Sequence, residues 1–208
     1  MNDDAAREAA FARAYRMIRT TVEQRAEAGQ RLLVGDLTRS TGLSPTPVRE
    51  ALSRLVGEGL VEEHRGGGYY VPRLDARDIA EFYALARALA RAAIARRRSG
   101  RGMHRTRRLA ASLSEPPPLA EAHTAYWFER IAVASGSLLL ANEMRRLSGR
   151  MAGIRRAEIV VMADLATRLA SMAAMVERDD MRGVLRWIEQ YCREGEEKAG
   201  EIADWLTS

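Results

Sequence analysis

The chain has 208 residues and carries 33 Lys and Arg against 28 Asp and Glu, a formal net charge of +5. Its one cysteine, Cys192, excludes an internal disulfide, and without a signal sequence or an apolar run of about 18 residues the sequence reads as cytoplasmic, with no membrane association. The length allows two modest domains, and the basic balance suits a polyanionic partner without fixing a fold.

From Ala5 to about Gln24 the apolar positions Phe11, Tyr15, Ile18 and Val22 recur on one helical stripe, predicting a first helix that packs under the helix beginning near Ser44. Ala28-Gly29-Gln30 marks its corner. Leu33, Leu37 and the turn Thr41-Gly42-Leu43 outline a short second helix and a tight turn. The third helix is spelled out between Ser44 and Leu60. Ser44 suits the N-cap and Pro45 the first turn, and Val48, Ala51, Leu52 and Leu55 form an apolar face. Thr46, Arg49, Ser53 and Arg54 then point elsewhere, and small polar groups with arginine are what phosphates and base edges require.

Residues 60–71 read as a strand, a glycine tip at Gly66-Gly67-Gly68 and a second strand. A phosphate loop would need a following Gly-Lys-Ser/Thr and a helix, and neither is present. The sum is a winged helix-turn-helix over residues 1–72. Its candidate DNA-binding residues are Arg39, Ser44, Thr46, Pro47, Arg49, Ser53, Arg54, His64, Arg65 and Gly66, with Arg65 the only long cation of the glycine tip.

The run Leu43-Ser44-x-Thr46-Pro47-Val48-Arg49-Glu50-Ala51-Leu52-x-x-Leu55, closed by Gly59-Leu60 and by Gly68-x-x-Val71, resembles the DNA-binding domain of GntR-type bacterial transcription regulators. The resemblance implies that Thr46 and Arg49 contact DNA backbone or bases and that a wing-tip residue enters the minor groove. Pro45 stands where that family usually has Arg, and Gly35 lies where an Arg or Glu is common. Arg39, Arg54 and Arg65 are the residues placed to compensate.

After Val71-Pro72 the pattern changes. Asp75 marks a helix start, and Ile79, Phe82, Tyr83, Ala86, Leu89 and Ala93 carry a long helix that ends near the basic run from Arg96. A short basic helix near 103–113 is expected to stop at Pro116-Pro117-Pro118. Helices over about 119–134 and 138–158 come next, then one from Leu165 up to Asp179-Asp180, and a last one opens after Asp179 and runs toward Trp205. No strand is expected after Val71, so the fold class is mostly α: the winged domain followed by an antiparallel bundle of about six helices over residues 73–208.

Phe128-x-x-Ile131-Ala132-x-Ala134-Ser135-Gly136 is similar to the central motif of the FadR-like, or FCD, branch of the GntR family. That branch implies dimerisation and effector binding by the bundle, and often a divalent metal held by one Asp and three His. Here the matching places hold Ala125, Glu129, Arg168 and Gln190 or Tyr191, so no metal or other cofactor is expected. Arg168 replacing a ligand would set a permanent charge near Glu129. Two readings stay open: a tentative effector pocket of His123, Glu129, Arg130 and Arg168 for a small organic acid, or an Arg-Glu pair that fills the old site.

The expected function is a sequence-specific transcription regulator, a repressor, that binds double-stranded operator DNA of palindromic sequence as a homodimer. An effector-free architectural DNA binder whose bundle only dimerises is the alternative. An enzyme tethered to DNA has no support, since no nucleophile-base pair, metal set or cofactor loop can be named.

Overall fold

The computed structural model describes residues 2–97, 113, 115, 117 and 120–208. They form two compact units that part between Arg73 and Leu74. The first contains α1 (Asn2–Arg25), β1 (Arg31–Leu32), α2 (Val34–Thr41), α3 (Pro45–Gly57), β2 (Glu62–Glu63) and β3 (Tyr69–Tyr70). Ile18 and Val22 of α1 meet Leu37 of α2 and Val48, Ala51, Leu52 and Leu55 of α3, with Leu60 and Val61 closing the cluster. Each such aliphatic side chain contributes about 1.5–3 kcal/mol when fully buried. The first helix thus underlies the third, as its stripe implies.

Between α2 and α3 the chain must turn within a few residues. Gly42 does this at φ +68°, donating its N–H to the Thr38 carbonyl at 3.0 Å, a conformation that side chains with a Cβ resist. The sheet is antiparallel in the order β1-β3-β2, with Arg31 opposite Tyr70 and Tyr70 opposite Glu62. The hairpin of β2 and β3 matches the sequence reading. The third strand, β1, was not anticipated.

The second unit holds α4 (Ala76–Arg97), α5 (Ala120–Ala134), α6 (Leu138–Arg150), α7 (Ala152–Val161), α8 (Leu165–Glu177), α9 (Met181–Glu197) and α10 (Ala199–Thr207). Asp75 and Asp78 start α4 as a reciprocal box: each carboxylate accepts the other residue's backbone N–H, at 2.8 and 3.1 Å. α4 lies against α5, α6 and α9, and α5 lies also against α6, α7 and α8. No strand occurs among the described residues after Tyr70, and no single described helix is long and apolar enough to cross a membrane.

The mostly helical fold class holds, with two boundary corrections. The helix expected over 138–158 is broken at Met151, which caps α6 and opens α7, and the last helix is broken at Lys198. Gly149 and Gly153 flank the first break and Gly195 and Gly200 the second, so helix propensity is low at both places. Met151, at the first break, is wholly buried. The basic helix expected near 103–113 lies outside the described residues.

Candidate nucleic-acid interface

The recognition helix α3 separates its residues cleanly. At about 100° per residue, Val48, Ala51, Leu52 and Leu55 face the core while Thr46, Arg49 and Ser53 fall within roughly 60° of one another on the opposite side. The first four are fully buried and the last three exposed. Arg49 forms no ion pair among the described residues, which leaves its guanidinium available to an anion. Glu50 shares this face and sits 3.9 Å from Arg7.

Ser44 occupies the N-cap in extended geometry, but its side chain makes no capping bond, so its hydroxyl stays exposed beside Thr46. Pro45 and Pro47 remove two of the N–H groups that a helix start normally leaves unsatisfied, so the first turn offers fewer backbone donors to a phosphate. Pro47 itself is a correction to the candidate set. Its ring is buried on the core side of α3 and presents no side-chain surface for DNA.

Two of the arginines placed to compensate for Pro45 are engaged within the domain. Arg54 Nε donates to Glu58 Oε1 at 2.9 Å, and Glu58 Oε2 accepts from the Tyr15 hydroxyl at 2.7 Å and lies 3.5 Å from Arg19. This group ties α1 to the end of α3. Burial and the Glu58 carboxylate raise the Tyr15 pKa, so its hydroxyl keeps its proton and donates. Arg39 pairs with Asp36 one turn earlier on α2 and remains largely exposed.

The wing is a tight hairpin. Gly67 N–H donates to the His64 carbonyl at 2.8 Å, and Gly67 and Gly68 take φ +82° and +113°. His64, Arg65 and Gly66 are all exposed there, and nothing lies within 4 Å of where a Gly66 Cβ would stand. The His64 ring stacks on Tyr70 with centroids 4.2 Å apart.

Each tentative effector residue has a partner within the helical unit. Arg168 pairs with Glu194 at 2.6 Å, whereas Glu129 pairs with Arg145 at 3.4 Å. Arg130 lies over the Tyr126 and Trp127 rings and donates to the Tyr126 hydroxyl at 2.8 Å. His123 donates to the Pro117 carbonyl at 2.7 Å. The carboxylate that meets Arg168 is Glu194, one turn beyond Gln190 and Tyr191 on α9. Among the described residues no three His, Cys, Asp or Glu side chains converge as metal ligands would.

A different ion pair occupies the core of this unit. Glu158 Oε1 accepts from Tyr83 at 2.6 Å, Tyr191 at 2.5 Å and Arg155 at 2.8 Å, and both charged side chains are buried. Arg155 also lies over the Phe128 and Tyr191 rings. Burial pushes the Glu158 carboxyl above its ordinary range against the pull of Arg155 and Tyr83, and it pushes the neighbouring Cys192 thiol up to about 12. That thiol is unreactive near neutral pH. Sequence reasoning missed this pair, since Arg-x-x-Glu on a helix has the same spacing as an exposed surface pair.

A helix-turn-helix with an exposed polar stripe, a glycine-tipped wing and a separate helical domain defines a winged-helix DNA-binding protein. Residues 11–71 match the family of bacterial regulatory proteins, gntR family. The match spans the winged domain, which resembles the DNA-binding domain of that family, and a separate helical domain follows it. No curated protein matches the sequence significantly.

Solved structures share the fold over nearly the whole chain. E. coli McbR/YncC matches with a TM-score of 0.66 at 19% identity, covering 96% of this chain and 99% of that one. A Rhodococcus sp. RHA1 protein assigned as a GntR-type transcriptional regulator gives 0.69 at 16% identity, covering 91% and 96%. Lar of Listeria monocytogenes, which controls expression of the agr system, gives 0.51 at 15% identity, covering 91% and 95%.

Proposed function

We propose that this regulator is a homodimeric repressor that reads a palindromic operator, with residues 1–72 binding DNA and residues 73–208 forming an FCD-like domain that dimerises. The observation that carries this reading is the exposed Thr46, Arg49 and Ser53 stripe opposite the buried face of α3. Paired recognition helices enter successive major grooves, wings reach the flanking minor grooves, and phosphate contacts provide most of the affinity. The protein works in the cytoplasm on nucleoid DNA.

Arg49→Ala tests it. The side chain is exposed and forms no ion pair among the described residues, so the melting temperature stays at the wild-type value. Loss at a single base position of about 1–3 kcal/mol marks base readout, and equal weakening on specific and random duplex marks a phosphate contact. Unchanged binding to both duplexes removes α3 from the interface.

The finer part of the reading is control by a small organic acid that competes with Glu194 for Arg168, since a guanidinium takes carboxylates in a bidentate manner. The second reading is a DNA binder without an effector. It is favoured by the pairing of Arg168, Glu129 and Arg145 within the domain and by the internal Arg155–Glu158 pair. A thermal-stability screen against organic acids separates the two, because a ligand that binds only the folded state raises the melting temperature. In the Arg168→Ala protein that rise disappears under the first reading.

A further inference from the structure

On the wing sheet, Arg31, Tyr70 and Glu62 lie on one cross-strand line. Leu32 is buried and Tyr69 packs on the core, so alternation puts the Arg31 line on the outer face. There the Tyr70 ring has His64 stacked against it, and the Arg31 guanidinium 5.9 Å from its centroid. Arg31 also leans along β3 toward the tip. Its Nε lies 3.4 Å from the place a Gly68 Cβ would take.

We infer that Arg31 is a DNA-backbone contact of the wing, a second cation delivered beside the glycine tip from a strand outside the hairpin and held there by Tyr70. This rests on the DNA-binding reading above. A guanidinium over an aromatic ring keeps its N–H edges free for phosphate, and the contact restricts the side chain before binding, which lowers the ordering cost. Arg31 forms no ion pair among the described residues. The wing also needs the charge. Its own strand β2 is Glu62-Glu63, both exposed, and these carboxylates oppose phosphate approach with only Arg65 at the tip to offset them. A bare turn of Gly66, Gly67 and Gly68 puts no side chain between the Arg31 guanidinium and a groove that the tip enters.

The test uses full-length protein and a duplex that the wild type has itself selected from fragments of its source genome, titrated by fluorescence anisotropy at several salt concentrations. Arg31→Ala should bind several-fold more weakly, with a salt slope about 0.9 smaller and an unchanged melting temperature. Arg31→Lys, which keeps the charge but loses the planar guanidinium, should restore the slope and only part of the affinity. Tyr70→Leu should weaken binding in the direction of Arg31→Ala. Wild-type affinity and slope in Arg31→Ala, alongside weakened binding by Arg49→Ala, overturns the inference and leaves the regulator reading standing. Weaker binding by Arg31→Ala with an unchanged slope and a lowered melting temperature overturns it too, since Arg31 is then only a structural residue. A wild-type protein that selects no fragment overturns both.

Discussion

Replacing Glu158 by Leu removes an acceptor shared by three donors at 2.5, 2.6 and 2.8 Å in the core of the helical domain. Arg155, its side chain only 3% exposed, is left as a buried cation without a counter-charge. Removing one partner from such a pair costs about 3–5 kcal/mol. The Tyr83 and Tyr191 hydroxyls lose their acceptor at the same time, at about 1–3 kcal/mol for each donor that finds no other. The three groups share one site, so the terms overlap, and the expected total is about 4–7 kcal/mol. That is a large fraction of the roughly 5–15 kcal/mol by which a folded protein is stable. Urea unfolding at fixed pH, followed by far-ultraviolet circular dichroism, reads it directly. The double variant Arg155→Met with Glu158→Leu buries no charge and should recover about 3 kcal/mol or more over the single variant, while the two stranded hydroxyls keep it below wild type. If the single and double variants unfold at the same urea concentration, or if Glu158→Leu falls within about 0.5 kcal/mol of wild type, the pair does not hold this core together.

Three further outcomes are expected. Burial raises the Glu158 carboxyl above its ordinary 4.5, so the folded state holds this proton more tightly than the unfolded chain; the stabilisation is full below that value and is lost as pH rises through the raised one. The margin of wild type over Glu158→Gln should therefore shrink as pH rises above the ordinary 4.5, and a margin that widens contradicts the assignment. Gly195→Ala puts a Cβ 2.3 Å from the Tyr83 ring and should destabilise by about 1–3 kcal/mol despite alanine's better helix propensity, whereas a more stable variant would show that Tyr83 can move aside. With Ala125, Glu129 and Arg168 at the places where the resembling branch sets metal ligands, purified protein should hold no stoichiometric zinc, nickel or manganese, and chelator should leave its melting temperature unchanged. About one tightly held metal per chain by elemental analysis, lost together with stability, would refute that placement.

Much of the DNA-binding domain was legible from local signals, because its determinants lie within a few residues of one another. The period of Val48, Ala51, Leu52 and Leu55 fixes which face of α3 is buried, and therefore which face is left for DNA. Gly42, Gly67 and Gly68 mark turns whose positive φ values only glycine adopts without strain. Asp75 announces α4 because a capping carboxylate acts on a backbone N–H three residues away. What the sequence could not determine is the pairing of groups far apart along the chain. β1 has two residues, too few for any period to appear, and beside it Val71 donates its N–H to the Gln30 carbonyl while its own carbonyl accepts from Gly29. Arg155 and Glu158 are spaced like any solvated helix pair, and only Tyr83, 75 residues from Glu158, and Tyr191, 33 residues from it, turn that spacing into a buried site. The sequence reading set Arg168 near Glu129 and did not name Glu194. Packing chose Glu194, since charge sets which partners are possible, and distance in the folded chain sets which one is met.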